Sequence, residues 1–384
     1  MRLLMVSEPG EYGVLAYVRN LVRFLHRHCP EIAVDLAFSS RRGSPALDQL
    51  VAEIAAHDGE TLDLAVGNAP EWGDFRAWLR LQALIRRRRP DLIHAHSSKA
   101  GALTRLLRLP YVSFPPVLYS PHGYYGMSRH GGLKERLFNR IESVLGKRGV
   151  THHVSSYERE FACRELGLSP RSQILVYTGI DGHIFSPASS EARAASRREL
   201  GLPAEGKLLV TVGRNAFEKN YASLYAALDT LLPDADWNFA HAGNGAPELR
   251  ATLRPAARAR AFSYPYLDTP ERLLHAADGF ILTSRSEAFG LTAYEALLCG
   301  LPLILTASTG LLSLRRLGFE GVRWLPDPVS TPDLAPFLRE ALHSWSHSDN
   351  PISPARETAA GRWFDQEIQF GKLKRIYRLL CPLK

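Results

Sequence analysis

The sequence predicts an α/β protein with two doubly wound parallel-sheet domains in tandem. Short apolar runs of strand length alternate with longer stretches of helical periodicity, the pattern of a parallel sheet covered on both faces. The alternation breaks at a polar, small-residue stretch, Ser186–Ser196, and then restarts. The chain has 384 residues, 45% hydrophobic and 22% charged, enough for two soluble domains with a core each.

In the first half, Leu3–Val6 reads as a buried strand. Val14–His26 follows as a helix, with apolar residues at Val14, Tyr17, Val18, Leu21, Val22 and Leu25. Val34–Phe38 is the next strand. Phe75–Arg88 is a helix whose end, the run Arg86–Arg89, complements a helix C-terminus and stops before Pro90; contact with anionic lipid is the alternative for that run. Leu92–His96 is a strand, Ala100–Leu107 a helix, Pro116–Ser120 a strand and Leu133–Gly146 a long helix. Thr151–Ser155 and Gln173–Tyr177 add strands.

Ser186–Ser196 is expected to link the domains. Lys207–Val212, Asn238–Ala242, Ala261–Ser263, Phe280–Leu282 and Leu303–Leu305 are the strands of the second half, with helices between. Arg362–Leu380 reads as one C-terminal helix. The expected domains are residues 1–185 and 186–362. Two such domains place a cleft at the carboxyl ends of their strands.

Bulk properties exclude several classes. No apolar run approaches a membrane span, and the start, Met1–Ser7, is wrongly flanked for a signal peptide. Cys29, Cys163, Cys299 and Cys381 are widely spaced, as free thiols of a reducing, cytoplasmic setting would be. The formal net charge of +8 admits nucleic acid, anionic membrane or a phosphate-rich substrate as partner. Nucleic acid is not expected, because no such motif appears and the basic residues are not interleaved with aromatics.

Chemistry concentrates in Ser284–Pro302, which holds Glu287 and Glu295 with Gly290 between them at a helix start. Gly279–Thr283 before it is strand-like, and Gly300-Leu-Pro302 stops the helix. Strand, glycine turn and helix aim backbone N–H groups of Gly290, Leu291 and Thr292 at whatever lies beyond, and a diphosphate suits that place. The two carboxylates suit sugar hydroxyls. A nucleotide sugar satisfies both.

This stretch resembles the glutamate-x7-glutamate signature of the retaining glycosyltransferases of family 4, enzymes of GT-B fold. The Ala296-Leu-Leu-Cys-Gly-Leu-Pro302 tail strengthens the resemblance. It implies that Glu287 anchors the transferred sugar and Glu295 the ribose, and that a C-terminal helix (363–384) crosses back to the first domain. Gly213-Arg214…Lys219 resembles the family's glycine-arginine…lysine pair, in which Arg214 and Lys219 neutralise the departing diphosphate. Gly243 and Asn244, in His241-Ala-Gly-Asn-Gly245, and Tyr266 fall where the family lines its nucleotide pocket.

In the first domain, Gly10-Glu-Tyr-Gly-Val14 resembles the family's glycine-glycine-valine loop. Tyr12 replaces the first glycine, so only Gly13 carries over as a donor-phosphate contact. His122, in Ser120-Pro-His-Gly123, matches the family's histidine-glycine position near the anomeric carbon and is the catalytic candidate beside Glu287. His94 and His96 stand at a strand end, expected on alternate faces, in structural or acceptor-side roles. Tyr177-Thr-Gly-Ile-Asp181, Glu142 and Glu158 fall at further family positions, with Thr178 in place of asparagine.

The resemblance implies front-face substitution, in which the departing phosphate accepts the acceptor's proton. Neither metal nor cofactor is expected, since no Asp-x-Asp pair stands at a strand end. The expected acceptor is a glycan or a lipid-linked hydroxyl in surface-polysaccharide or lipopolysaccharide assembly. Leu133–Arg148 has an apolar stripe with basic flanks. The plainer expectation is a helix packing that stripe onto its sheet; the basic excess tilts the chain toward a peripheral enzyme at the cytoplasmic face of a membrane. A GT-B epimerase and a catalytically silent partner subunit are the competing classes. A phosphorylase would need a longer chain and a cofactor lysine.

Overall fold

A computed structural model of the chain describes residues 1–67, 70–107, 114–128, 131–147, 149–319, 321–328, 333–346 and 361–381. Arg148 and residues 382–384 lie outside these. The chain divides into two units, Met1–Gly179 with Gln366–Lys384, and Ile180–Asp365.

The first unit runs β1 (Arg2–Ser7), α1 (Tyr12–His28), β2 (Ala33–Phe38), α2 (Pro45–Ala56), β3 (Thr61–Asp63), α3 (Gly73–Arg88), β4 (Leu92–His96) and α4 (Ser98–Leu107). It continues through β5 (Val117–Ser120), α5 (Gly132–Gly146), β6 (Val150–His153), α6 (Ser156–Arg164) and β7 (Gln173–Leu175). The strand order is β3-β2-β1-β4-β5-β6-β7, all neighbours parallel. Leu3, Leu4, Met5 and Val6 of β1 are fully buried, as a central strand covered on both faces requires. Helix starts follow capping chemistry. Ser44 Oγ accepts from Leu47 N–H ahead of Pro45, and Ser155 Oγ from Glu158 N–H.

Three expectations change here. The Arg86–Arg89 run is not merely a solvated helix end. Arg88 forks onto the fully buried Asp35 at 2.7 and 3.0 Å, and Arg87 pairs with Glu60. The α5 stripe does not pack on the sheet: Leu133, Leu137, Ile141 and Val144 are exposed, and the helix buries Glu142, Leu145 and Gly146 instead. The predicted C-terminal helix is interrupted at Asp365, which forms an isolated parallel bridge with Ile180. The helix proper is Gln366–Leu380. It packs on the first unit through Phe370, whose ring lies 5.7 Å from Tyr17 and 5.6 Å from Phe24.

The second unit runs α7 (Ser190–Glu199), β8 (Lys207–Val212), α8 (Tyr221–Leu231), β9 (Trp237–Ala242), α9 (Ala246–Ala251), α10 (Pro255–Ala259), β10 (Ala261–Tyr264) and α11 (Pro270–Ala276). β11 (Gly279–Leu282), α12 (Leu291–Leu298), β12 (Leu303–Thr306), α13 (Leu312–Arg316), β13 (Val322–Leu325) and α14 (Ala335–Ser346) complete it. Its parallel order is β10-β9-β8-β11-β12-β13. The stretch read as a linker is largely α7, which Ser189 caps by accepting from Ala192 N–H. Its buried Arg197 binds Asp278 at 2.8 Å and Ala276 O at 3.0 Å.

Candidate active site

In the second unit the strand order reverses between β8 and β11, and the turns following these strands carry the candidate residues. Gly290 ends the β11 turn at φ 85°, as the residue before α12. A Cβ there would stand 2.4 Å from Leu311 Cδ2, so both backbone and space require glycine. The first N–H groups of α12 have no partner within the helix, and the Thr292 hydroxyl beside them is buried without a partner among the described residues. α12 is held by stacked Phe289 and Tyr294 (4.0 Å), with Phe364 edge-on to Tyr294 at 4.2 Å.

Glu287 lies in the turn, past the strand end. Its Oε1 accepts from Lys219 Nζ and from Ser284 Oγ, both at 2.6 Å. Its backbone is pinned by Thr309 and Gly310: Glu287 N–H donates to Thr309 Oγ1 (3.0 Å), and Gly310 N–H to Glu287 O (2.9 Å). Glu295, in the second turn of α12, is 8% exposed.

The turns after β8 and β9 touch backbone to backbone. Asn215 N–H donates to Asn244 O at 2.7 Å, and a Cβ on Gly243 would stand 2.0 Å from Gly213 O. His241 supports the contact from below. It is fully buried, its Nε2–H donates to Gly213 O (2.7 Å), and burial pushes its pKa down to about 4. Arg214 follows Gly213 and is partly exposed; Tyr266, beyond β10, is half exposed.

In the first unit the order reverses between β1 and β4, and the register sets Ser7 beside His96 and His96 beside Ser120. Three non-glycine residues in the segments that follow these strands hold positive φ: Tyr12 (60°), at the start of α1, Ser97 (82°) and His122 (53°). Such strain gathers where a site fixes its geometry. His122 Nε2 lies 3.0 Å from His96 Nδ1, and Tyr17 packs edge-on to the His122 ring at 4.8 Å. Burial pushes His122 down to about 4 against the pull of Glu158. Glu158 fixes the turn by accepting from Gly123 N–H (2.6 Å) and Val154 N–H (3.0 Å). The Ser7, Tyr17 and Ser97 hydroxyls and His96 Nε2 are buried without partners among the described residues.

His94 and His96 share a face, as residues two apart on a strand must. Their rings stand 4.0 Å apart, which corrects the expectation of alternate faces. Among the described residues no three His, Cys, Asp or Glu side chains gather as metal ligands. Gly13 lies in the first turn of α1, with open space where a Cβ would point.

The structure thus joins Lys219 to Glu287, and the Gly213–Arg214 turn to Gly243–Asn244. Gly290, Leu291, Thr292 and Glu295 share one helix start, and His122 and Gly13 belong to the other unit. Sequence reasoning missed Ser284, Thr309 and Tyr17. Tyr17 was read only as one apolar position of α1; its hydroxyl on a core face was the signal.

The sequence matches the family model "Glycosyl transferases group 1" over residues 192–358 and "Glycosyltransferase Family 4" over residues 12–182. A glycogen synthase of Mycobacterium tuberculosis is 31% identical, the match covering 94% of this chain and 89% of the relative. The Escherichia coli UDP-Gal:alpha-D-GlcNAc-diphosphoundecaprenol alpha-1,3-galactosyltransferase is 25% identical over 76% of each chain. Among solved structures, an Anabaena protein in complex with UDP and glucose superposes with a TM-score of 0.77 at 18% identity, covering 98% of this chain and 99% of that one.

Proposed function

The chain belongs to the family 4 glycosyltransferases, enzymes of GT-B fold, and from that premise we propose that it moves a sugar from a nucleoside diphosphate, with retention, to a hydroxyl of a lipid-linked or glycan acceptor. The observation that carries the reading is the Lys219–Glu287 pair, 2.6 Å apart in the unit that also presents the N-terminus of α12 and the orphan Thr292 hydroxyl.

Breaking a sugar–phosphate bond builds negative charge on the departing diphosphate. Lys219, Arg214 and the N–H groups at Gly290, Leu291 and Thr292 stabilise that charge more in the transition state than in the ground state. Lys219 shares its proton between Glu287 and the phosphate. Glu287 holds sugar hydroxyls, Glu295 the ribose, and Gly243, Asn244 and Tyr266 border the base. His122, whose pKa is about 4, is an uncharged ring at neutral pH and a weak proton acceptor. It orients the sugar, Gly13 approaches the donor phosphate, and the leaving phosphate oxygen takes the acceptor's proton. The relatedness to a diphosphoundecaprenol galactosyltransferase supports a lipid-linked acceptor.

A hydrolysis panel of UDP-, GDP- and ADP-sugars, run without added metal, tests this. One donor is expected to turn over, and chelator is expected to change nothing. Lys219→Ala and Glu295→Ala should each weaken nucleotide binding by about 10- to 100-fold, the cost of a lost charged hydrogen bond. Unchanged affinity in both variants would overturn the pocket, and absence of both turnover and binding would overturn the activity.

A further inference from the structure

Helix α5 turns its apolar face away from the protein. Leu133, Leu137, Ile141 and Val144 recur at the spacing of one helix face and stand 83%, 59%, 39% and 47% exposed. Charge is sorted along the same division. Both glutamates lie on the inner half: Glu142 accepts from Arg105 and Tyr119 at 2.9 Å each, and Glu135 accepts from Gly131 N–H at 2.7 Å. The exposed Lys134, Arg136, Arg140 and Lys147 border the stripe. At 100° per residue, Arg136, Arg140 and Lys147 fall on one side of it and Lys134 on the other.

Among the described residues no carboxylate pairs with any of these four cations: both glutamates of α5 are turned inward, Glu142 onto Arg105, and Lys134 Nζ lies over the Tyr125 ring at 5.4 Å instead. Other cations of this unit do pair with carboxylates, as Arg88 with Asp35 and Lys99 with Asp74. A solvent-facing helix ordinarily interleaves both signs over a polar surface. An apolar centre rimmed by exposed cations that no carboxylate neutralises among the described residues fits a surface that is apolar below and anionic at its boundary. The neighbours extend the face. Helix α4 packs against α5 and α3 against α4, and these two neighbours expose Phe75, Leu79 and Leu106. No helix among the described residues is long and apolar enough to cross a membrane, so α5 would lie along the surface.

We propose that the outer face of α5 docks the enzyme on an anionic lipid bilayer, with Leu133, Leu137, Ile141 and Val144 entering the interface and Arg136, Arg140, Lys147 and Lys134 meeting the headgroups. This goes beyond the transfer reaction and uses none of its residues.

The test is co-sedimentation of the full chain with phosphatidylcholine vesicles, with and without about 30% phosphatidylglycerol. Wild type is expected to partition at least about tenfold better onto the anionic vesicles, and less so at high salt. Arg136→Glu/Arg140→Glu should fall to the level of neutral vesicles. Leu137→Asp/Ile141→Asp should lose binding at either salt, while melting temperature and donor hydrolysis stay as in wild type. Failure of wild type to sediment with anionic vesicles would overturn the proposal, as would retained binding in either variant. A wild-type dimer that Leu137→Asp/Ile141→Asp dissociates, with no vesicle binding, would assign the stripe to a contact between copies instead.

Discussion

Four buried hydrogen bonds in the first unit admit a single donor order once the histidines are neutral. The Val176 carbonyl can only accept, so His152 Nε2 carries the hydrogen of their 2.9 Å bond. His152 Nδ1 then accepts from Ser120 Oγ (2.7 Å), Ser120 accepts from His94 Nε2–H (2.8 Å), and His94 Nδ1 accepts from the Tyr377 hydroxyl (2.7 Å). A proton added to either ring removes an acceptor and breaks the order. Burial guards against that, holding His152 at about 4 and His94 well below its ordinary value. An unfolded chain takes up these protons near pH 6.5, so between there and about pH 4 the unfolded state binds more protons than the folded one. The contribution is therefore full above pH 7 and is lost as pH falls from 6.5 toward 4; for His152 alone it is on the order of 3 kcal/mol. Denaturant midpoints should be flat above pH 7 and decline below it. His122 and His241 share the low value and add to that slope, so the decisive quantity is a difference. His152→Gln should be less stable at pH 7 yet lose less on acidification; a slope equal to wild type would reject this linkage.

At the scale of elements, the site depends on how closely two strand-end turns approach. With 2.0 Å between a Cβ on Gly243 and Gly213 O, Gly243→Ala must push the Gly213–Arg214 turn away. It should cost about 1–3 kcal/mol of stability, as overpacking does, and weaken nucleotide binding with it. Gly13→Ala meets open space, so any loss of turnover there would report on the donor and not on folding. Isothermal titration with nucleotide separates the two, and wild-type affinity in Gly243→Ala would detach this turn from the pocket. The elements legible in the sequence were those with sharp stops: Leu92–His96 and Lys207–Val212 match the structure to the residue, because Pro90 and Gly213 bracket buried apolar runs. The three-residue β3 and the edge strand β13 were not read, being short and only partly buried. α2 was missed although Ser44-Pro45 is a start signal. Among site residues, the glycine turn before α12 was readable because a helix start needs it. The Lys219–Glu287 contact joins turns 68 positions apart and was not. Periodicity located the α5 stripe without saying which way it faced, since a stripe on the sheet and one on the surface have the same spacing.

At the scale of the molecule, the first unit is completed by residues that follow the whole of the second. The chain leaves it after Gly179 and returns at Gln366. The returning helix then buries Phe370, Leu373 and Tyr377 in the first unit. Phe370 fills the space between Tyr17 and Phe24, and Tyr377 begins the histidine chain at His94. The preceding Phe364 belongs to the second unit, against Phe289 and Tyr294. Two aromatic residues six apart thus serve different cores, with the Asp365–Ile180 bridge between them. Truncating a buried phenylalanine to alanine costs about 3–5 kcal/mol, and hydrogen exchange through unfolding of the affected unit should speed up by about a hundredfold or more. Phe370→Ala should therefore loosen amides of β1, β4, β5 and β6 while those of β8, β9 and β11 keep their protection. Phe364→Ala should do the reverse. Mass-spectrometric exchange on the two variants reads this directly. Equal acceleration across both sheets in either variant would mean that the units unfold as one, and that the returning helix is a joint element of both cores instead of the closing piece of the first.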